Sequence, residues 1–493
     1  MKKIKYFIYR LPILGLALGL VMGIFSSCND WLNVEPSDKI LEQRLFSSEP
    51  GINAALNGIY MKMAEVNLYG NQLTVSSIEV MAQRYETAKM SDKRVELYLA
   101  KYDYNKLETT KPLIANLWKN LYSTILNTNL FIENMEKSTL LPQHKKDILL
   151  GEAYGLRAFL HFDLFRLFGP VYAANPEGLA IPYYTSSEAY KRPRLKASEV
   201  AQFLILDIDK SIELLKNDPI ITEGTMSYGM NNPLEDFYRY RNHRFNYYAS
   251  LMLKSRMQLY FGNPQEAAVI ADQIISATEA IFPFTSPASI TDSRNPDKRF
   301  STEIIFGIEN KDFKKINEDF FVQSKKSDDA LVVREEILKT IFDISSDFDI
   351  YPDYRAKNWV SYRYSGDGVD PNSETKLRIS NKFANLTTDT VSFKFLQPLM
   401  RISELYYIKA EYSKSLDPIN TIYTARGLPD TDQEIEGLIT KEYQREFFGE
   451  GQLFYYYKRK NFSQIIDGNS DNGYIPMTQE NYIFPIPDAE IEN

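Results

Sequence analysis

The side chains that could perform chemistry in this chain are few, and their spacing argues against turnover. His144, His161 and His243 are its three histidines. None stands at metal-ligand spacing from another. His161 lies in an almost wholly apolar stretch, where an imidazole is expected to be packed and not poised as a base. The chain contains no Gly-x-Ser-x-Gly turn and no phosphate-cradling glycine loop. With 65 Asp and Glu, paired carboxylates arise by number alone. Glu404 and Glu411 lie near Arg401 on one helix face, and Arg401 and Glu404 are spaced to pair. An ion-paired scaffold role therefore outranks glycosidase chemistry. The expectation is a protein that binds without turnover, with no catalytic residues, no metal and no cofactor.

The aromatic residues are the other chemical resource. There are 34 Tyr and 29 Phe against 3 Trp. A sugar presents an apolar C–H face and a rim of hydroxyls. A Tyr or Trp ring covers the face, and neighbouring amides or charges take the rim. Two loop regions offer this combination. One holds Tyr85, Tyr98, Tyr102 and Tyr104 with Gln83, Arg84, Lys101 and Asn105. The other holds Tyr351, Asp353, Tyr354, Arg355, Asn358, Trp359, Tyr362 and Tyr364. The ligand-binding candidates are Trp359, Tyr354, Arg355, Asn358, Tyr362, Tyr85, Tyr98 and Tyr102. Trp359 leads, because it is the one Trp in a polar context away from both the N-terminus and the scaffold. The competing role for each tyrosine is packing of its loop onto the body.

The elements that must carry these loops begin with the N-terminus. Lys2, Lys3, Lys5 and Arg10 precede an apolar run from Leu11 to Phe25, then Ser26-Ser27-Cys28. This is the layout of a secretory signal. With Cys28 at the junction it resembles a bacterial lipoprotein signal over residues 1–27, cut before Cys28 and acylated on its thiol. An ordinary signal peptide with an unrelated cysteine is the alternative. Cutting there removes four basic residues and no acid, leaving 53 Lys+Arg against 65 Asp+Glu, a formal charge of −12. Such a chain lacks the basic face of a general nucleic-acid binder. Its membrane attachment rests on the acyl group. With one cysteine it has no internal disulfide, so stability must come from core burial.

Apolar spacing of three and four predicts helices from Ile52 to Met63, over Leu117–Met135 and over Ile148–Phe168, the last apolar nearly all round and stopped by Gly169-Pro170. Ser198 is a plausible N-cap for the next. Phe245–Phe261 and Gln265–Ser276, broken by Gly262-Asn263-Pro264, form a unit close in length to a tetratricopeptide hairpin. Residues 280–395 read as long loops with a short strand around Ile304-Ile305-Phe306. Helix resumes over Pro398–Ser413 and Ile435–Tyr457, and the Phe484-Pro485-Ile486-Pro487 tail is extended.

Several stretches, in order, resemble the SusD/RagB family of Bacteroidetes surface lipoproteins. They are Cys28-Asn29-Asp30-Trp31-Leu32 through Pro36; Ala54-Ala55-Leu56-Asn57-Gly58-Ile59-Tyr60; and Trp118, Tyr122, Ile125 and Asn129 in a W-x-x-x-Y-x-x-I-x-x-x-N pattern. Further on come Glu152-Ala153 with Leu156-Arg157-Ala158-Phe159 and Gly169-Pro170-Val171; Arg401 to Glu411; Glu442 to Gly451; and the proline tail. The chain departs from the family at Tyr455-Tyr456-Tyr457-Lys458-Arg459 and lacks the terminal Gln-Asn-x-x-Tyr stretch, which marks a diverged member. The resemblance implies a mainly α fold, with four tetratricopeptide-like helix pairs, long inserted loops and a few short strands. It implies one SusD-like domain over 28–493, with an N-terminal part at 28–220 and a C-terminal part with ligand loops at 280–493. The implied function is a nutrient-binding lipoprotein of the cell outer membrane, facing the exterior and holding an oligosaccharide. The implied partner is a SusC-type TonB-dependent barrel. A surface glycoside hydrolase, and a peptide-binding or structural assembly lipoprotein, are the alternatives.

Overall fold

The computed structural model describes residues 42–188, 190–225, 237–326, 328–363, 375–386, 388 and 391–491. The signal segment 1–27, Cys28 and Tyr364 lie outside the described residues. The chain divides into a short unit, residues 1–54, of which 42–54 are described, and a large unit, residues 55–493. The first long helix is α1, Glu49–Met63.

Within the large unit, α2 (Thr110–Lys137), α3 (Gln143–Phe168), α4 (Ala197–Leu214), α5 (Tyr247–Tyr260) and α6 (Pro264–Thr278) pack in sequence, each on the next. After the inserted region, which carries α7 (Phe313–Phe320) and α8 (Glu335–Phe342), the array resumes. There α6 packs on α9 (Ile402–Ser413), which contacts α10 (Asp417–Ala425) and α11 (Ile435–Glu446); α12 is Leu453–Lys460. The fold is the expected one: mainly α, built of helical hairpins, with long inserts and a few short strands. Strands β1 (Ile304–Glu309) and β5 (Leu396–Arg401) pair antiparallel; β2 (Val332–Arg334), β4 (Leu377–Ser380) and β3 (Trp359–Ser361) form a second small sheet in that order; β6 (Gln464–Ile466) pairs with β7 (Tyr474–Pro476).

Helix α3 is the core of the array. Phe159, Phe162, Phe165 and Phe168 are all buried, each contributing roughly 1.5–3 kcal/mol of apolar transfer. Close packing demands glycine at two of its turns. A Cβ at Gly155 would lie 2.2 Å from the Phe245 ring, and one at Gly151 would lie 2.5 Å from Leu215.

Four boundaries differ from the sequence reading, each for a physical reason. Helix α4 starts at Ala197 with Lys196 as N-cap, whose N–H donates to the Glu199 carboxylate at 2.9 Å, while Ser198 donates to Glu177 at 3.0 Å. Pro264 opens α6, its missing N–H costing nothing in the first turn. Pro398 belongs to β5, opposite Gly307, so helix begins only at Ile402. The last helix breaks at Gly449-Glu450-Gly451, where both glycines take φ +71. That turn swings Glu450 inward onto Lys382 at 2.6 Å and Arg401 at 2.9 Å.

Arg401 thus pairs with Glu450 and Glu446, not with Glu404. Glu404 takes Arg256 at 2.6 Å, and Glu411 takes Arg459 at 2.7 Å. Arg426 bridges Glu303 and Glu446, and Arg355 bridges Asp353, Glu442 and Glu446, all buried. Truncating one member would strand the others' charge in the core, at about 3–5 kcal/mol.

Candidate functional site

The two aromatic loop regions do converge, but inside the protein. Trp359 is 6 % exposed and sets its ring against Phe448 at 4.4 Å. Exposure rises along the strand from buried Trp359 through half-buried Val360 to exposed Ser361. Tyr85 meets the same Phe448 at 5.9 Å and donates its hydroxyl to the Val75 carbonyl at 2.7 Å. The void beside Trp359 is about 10 Å3, room for one water and no sugar.

The other candidates follow suit. Tyr102 is buried and donates to the Met81 carbonyl at 2.9 Å, and Tyr362 donates to the Lys325 carbonyl. Arg355 is spent on its three carboxylates. Asn358 is 7 % exposed, its amide directed to the Lys298 carbonyl at 3.5 Å. Tyr98 and Tyr354 are half-buried, each with a lysine ammonium 5.1 Å from the ring centre. The structure places the leading candidate, Trp359, along with Tyr85, Tyr102, Tyr362, Arg355 and Asn358, in the interior. Their polar context in sequence is the lining of a packed loop layer, where each hydroxyl or guanidinium has found an internal partner.

An open aromatic groove lies elsewhere, along α2. Its volume is about 600 Å3, within the range of ligand sites. The floor is Trp118 and Tyr122 on successive turns of α2, 4.7 Å apart. One wall is the segment after Pro182, with Tyr184 5.4 Å from Tyr122 and Tyr190 45 % exposed. The other wall is the C-terminal tail, Pro487 to Glu490. The Lys191 ammonium donates to the Glu490 carbonyl at 3.0 Å and joins the two walls. Lys119, Ser186 and Glu188 supply polar groups at the rim. A smaller cavity of about 280 Å3 shares Ala115, Pro487 and Ala489 with the groove.

The Tyr184 wall is held by the motif residues themselves. The Asn129 amide donates to the carbonyls of Tyr184 and Ser186, both at 3.1 Å, and its oxygen accepts from Arg157 at 3.0 Å. Arg157 forks onto Asp207 at 2.7 and 2.6 Å, which also accepts from the Tyr183 hydroxyl at 2.6 Å. Burial works against the charge on the Arg157 guanidinium, but the forked bonds to Asp207 and its negative charge outweigh it and hold the group charged; burial and the Asp207 charge push the Tyr183 phenol up.

His161 completes the support. Its Nε2 accepts from the Tyr184 N–H at 3.1 Å, so Nδ1 carries the proton and donates to the Arg157 carbonyl at 3.0 Å. Burial pulls its pKa down to about 3, keeping the ring neutral. Tyr183 stacks on it at 3.8 Å. His161 is packed, as its apolar stretch predicts, and with Asn129, Arg157 and Asp207 it shapes the groove. The cue that sequence reading passed over is Tyr183-Tyr184 and Tyr190 in a short proline-flanked segment just after the apolar helix.

The groove offers aromatic faces beside a hydroxyl and both signs of charge, the inventory for a flat, hydroxylated ligand. Among the described residues no His, Cys, Asp and Glu cluster is placed to hold a metal, and no helix is long and apolar enough to cross a membrane.

Comparison with known proteins agrees with this architecture. Residues 30–226 match the SusD-like family described as starch-binding associating with outer membrane. Among curated proteins, the SusD-like protein P38 of Formosa agariphila is 26% identical over 194 residues, 38% of this chain and 35% of the relative. SusD-like protein P25 of the same organism is 21% identical over 295 residues, 59% of this chain and 50% of the relative. The chain's matches thus span half or less of these relatives' own length. A SusD superfamily protein of Bacteroides thetaiotaomicron superposes with a TM-score of 0.70 at 20% identity, covering 90% of this chain and 98% of that one. A SusD-like carbohydrate binding protein of Bacteroides vulgatus gives 0.63 at 18% identity, covering 90% and 96%. Residues 30–226 thus resemble the SusD-like family in sequence, and the fold over about nine-tenths of the chain is that of these solved structures.

Proposed function

We propose that this protein is a lipid-anchored capture protein of the cell outer membrane, facing the exterior, that binds a glycan and passes it uncut to a SusC-type TonB-dependent barrel. In this reading Cys28 carries the acyl anchor after removal of residues 1–27, and 28–493 works as one SusD-like domain. The observation that carries the reading is the aromatic groove of Trp118, Tyr122, Tyr184 and Tyr190, whose floor, Trp118 and Tyr122, belongs to the pattern through which the chain resembles the SusD/RagB family. Binding without cleavage is supported by Glu404 and Glu411, the acids nearest to a glycosidase pairing in sequence, being held by Arg256 and Arg459.

The test is a panel of oligosaccharides titrated against the purified protein, with reducing ends measured in parallel. Saturable binding of at least one glycan, with no reducing ends released, is the expected result. Release of reducing ends would favour a hydrolase. A panel with no binder and a positive peptide pull-down would favour a peptide receptor or assembly lipoprotein.

A further inference from the structure

Away from the groove, the inserted region holds a cavity of about 80 Å3 with a cationic wall. Arg294, Lys298, Arg299 and Lys382 line it, and among the described residues no carboxylate does. Lys382 is matched by Glu450 at 2.6 Å. Among the described residues neither Arg299 nor Lys298 has a carboxylate in direct ion-pair contact, although the Asp297 charge acts on Arg299. The Arg299 guanidinium is buried, lies 4.3 Å from the centre of the Phe313 ring, and donates from Nη1 alone, to the carbonyls of Phe393 and Lys394. The neighbouring carboxylate, Asp297, is taken by the Ser301 N–H at 2.9 Å and hydroxyl at 2.7 Å.

The Nε and Nη2 hydrogens of Arg299 have no acceptor among the described residues, and Arg299 lines the cavity. These two N–H groups form the parallel edge that binds an oxyanion bidentately. Elsewhere in this molecule the same edge carries Asp207 on Arg157, Asp218 on Arg241 and Glu404 on Arg256. Beside it, the Lys298 ammonium donates to the Asn381 side-chain oxygen and has no carboxylate partner. Burial draws the Lys298 ammonium down to about 8 and the Arg299 guanidinium down to about 10. The Asp297 charge offsets only part of the cost of burying Arg299, and an anion between the two desolvated cations would lift the remainder.

We propose that this cavity is an oxyanion site, in which a carboxylate or sulfate seats on the Nε/Nη2 edge of Arg299 with Lys298 closing over it. The space holds a group of a few heavy atoms, since one water needs about 10–15 Å3. The oxyanion is borne by an acidic sugar or is free in solution. The site stands apart from the aromatic groove, and either can fail without the other.

The experiment is calorimetric titration of the purified protein with sodium sulfate and with sodium glucuronate, against sodium chloride at equal ionic strength. Saturable binding of either oxyanion is expected, weakened at least about tenfold in Arg299→Lys, which keeps the charge and loses the fork, and in Lys298→Met. Tyr190→Ala should leave it unchanged. Lys298 is part-exposed, so its variant decides the matter if Arg299→Lys fails to fold by circular dichroism. A uronate-bearing oligosaccharide that binds more tightly than free glucuronate identifies a sugar-borne ligand. Equal affinities identify a free anion, and both outcomes support the site. No saturable binding of either anion, or binding unchanged in Lys298→Met, would overturn it and leave Arg299 satisfied by its ring contacts and carbonyls.

Discussion

Asn129 holds the Tyr184 wall, and removing its amide should open the groove while leaving the helical body intact. Its orientation is fixed by chemistry, because two carbonyls can only accept and a guanidinium can only donate. Asn129→Ala deletes three hydrogen bonds: those to the Tyr184 and Ser186 carbonyls and that from Arg157. At about 1 kcal/mol each for partly rehydrated groups, the wall loses about 3 kcal/mol of local stability. That corresponds to about a hundredfold faster opening-limited amide exchange. The segment 183–187 is the place to look, since the Tyr184 N–H is bonded to His161 and the Ser187 N–H to Glu133 at 2.6 Å. Hydrogen exchange read by mass spectrometry, with a glycan titration on the same sample, is the assay. The account expects fast exchange at 183–187, unchanged exchange in α5 and α6, and at least tenfold weaker glycan binding. Unchanged protection at 183–187 would refute the role given to Asn129.

Other outcomes follow from the same geometry. Trp359→Ala should lower stability by about 3–5 kcal/mol, as for any buried large ring, yet leave glycan affinity of the folded protein intact; loss of affinity without loss of stability, in paired melting and binding curves, would return Trp359 to the site. Glu79 is buried beside Arg84 at 3.3 Å, and burial raises its carboxyl from 4.5 to about 7. A raised carboxyl favours the native state at low pH, and that advantage of about 3 kcal/mol is lost as pH climbs from 4.5 through 7. Glu79→Gln should therefore stabilise at pH 8 and do little at pH 5 in urea unfolding, and a pH-independent difference would be inconsistent with this. Tyr190→Ala should cost glycan binding about 1–2 kcal/mol by loss of one stacking face, with no change in melting temperature; titration and melting of the same variant check it.

The helical array was legible because its signals are local and redundant. The apolar spacing of Ile148–Phe168, the Gly262-Asn263-Pro264 break and the Trp118-to-Asn129 pattern each mark elements that the structure contains. The break at Gly449-Glu450-Gly451 was harder to see, since its cause is long-range: Glu450 is drawn to Lys382 and Arg401, far away in sequence. The candidate site was less legible still. Exposure climbs steadily from Trp359 to Ser361 in a three-residue strand, too short to betray a period. The partners that bury Tyr85, Val75 and Phe448, give no hint of their proximity in the linear chain. Conversely, Trp118 was rightly placed on the scaffold, and only the return of the C-terminal tail past α2 turns that scaffold face into a groove.

The most direct test of glycan capture is a crystal structure of the protein with the tightest binder from the oligosaccharide panel. The account predicts an intact sugar in the groove, one ring face against Tyr184 or Tyr190 and hydroxyls toward Ser186, Glu188 or Lys119. Density for the glycan over another surface with the groove clear of it, or density for a cleaved product, would contradict it.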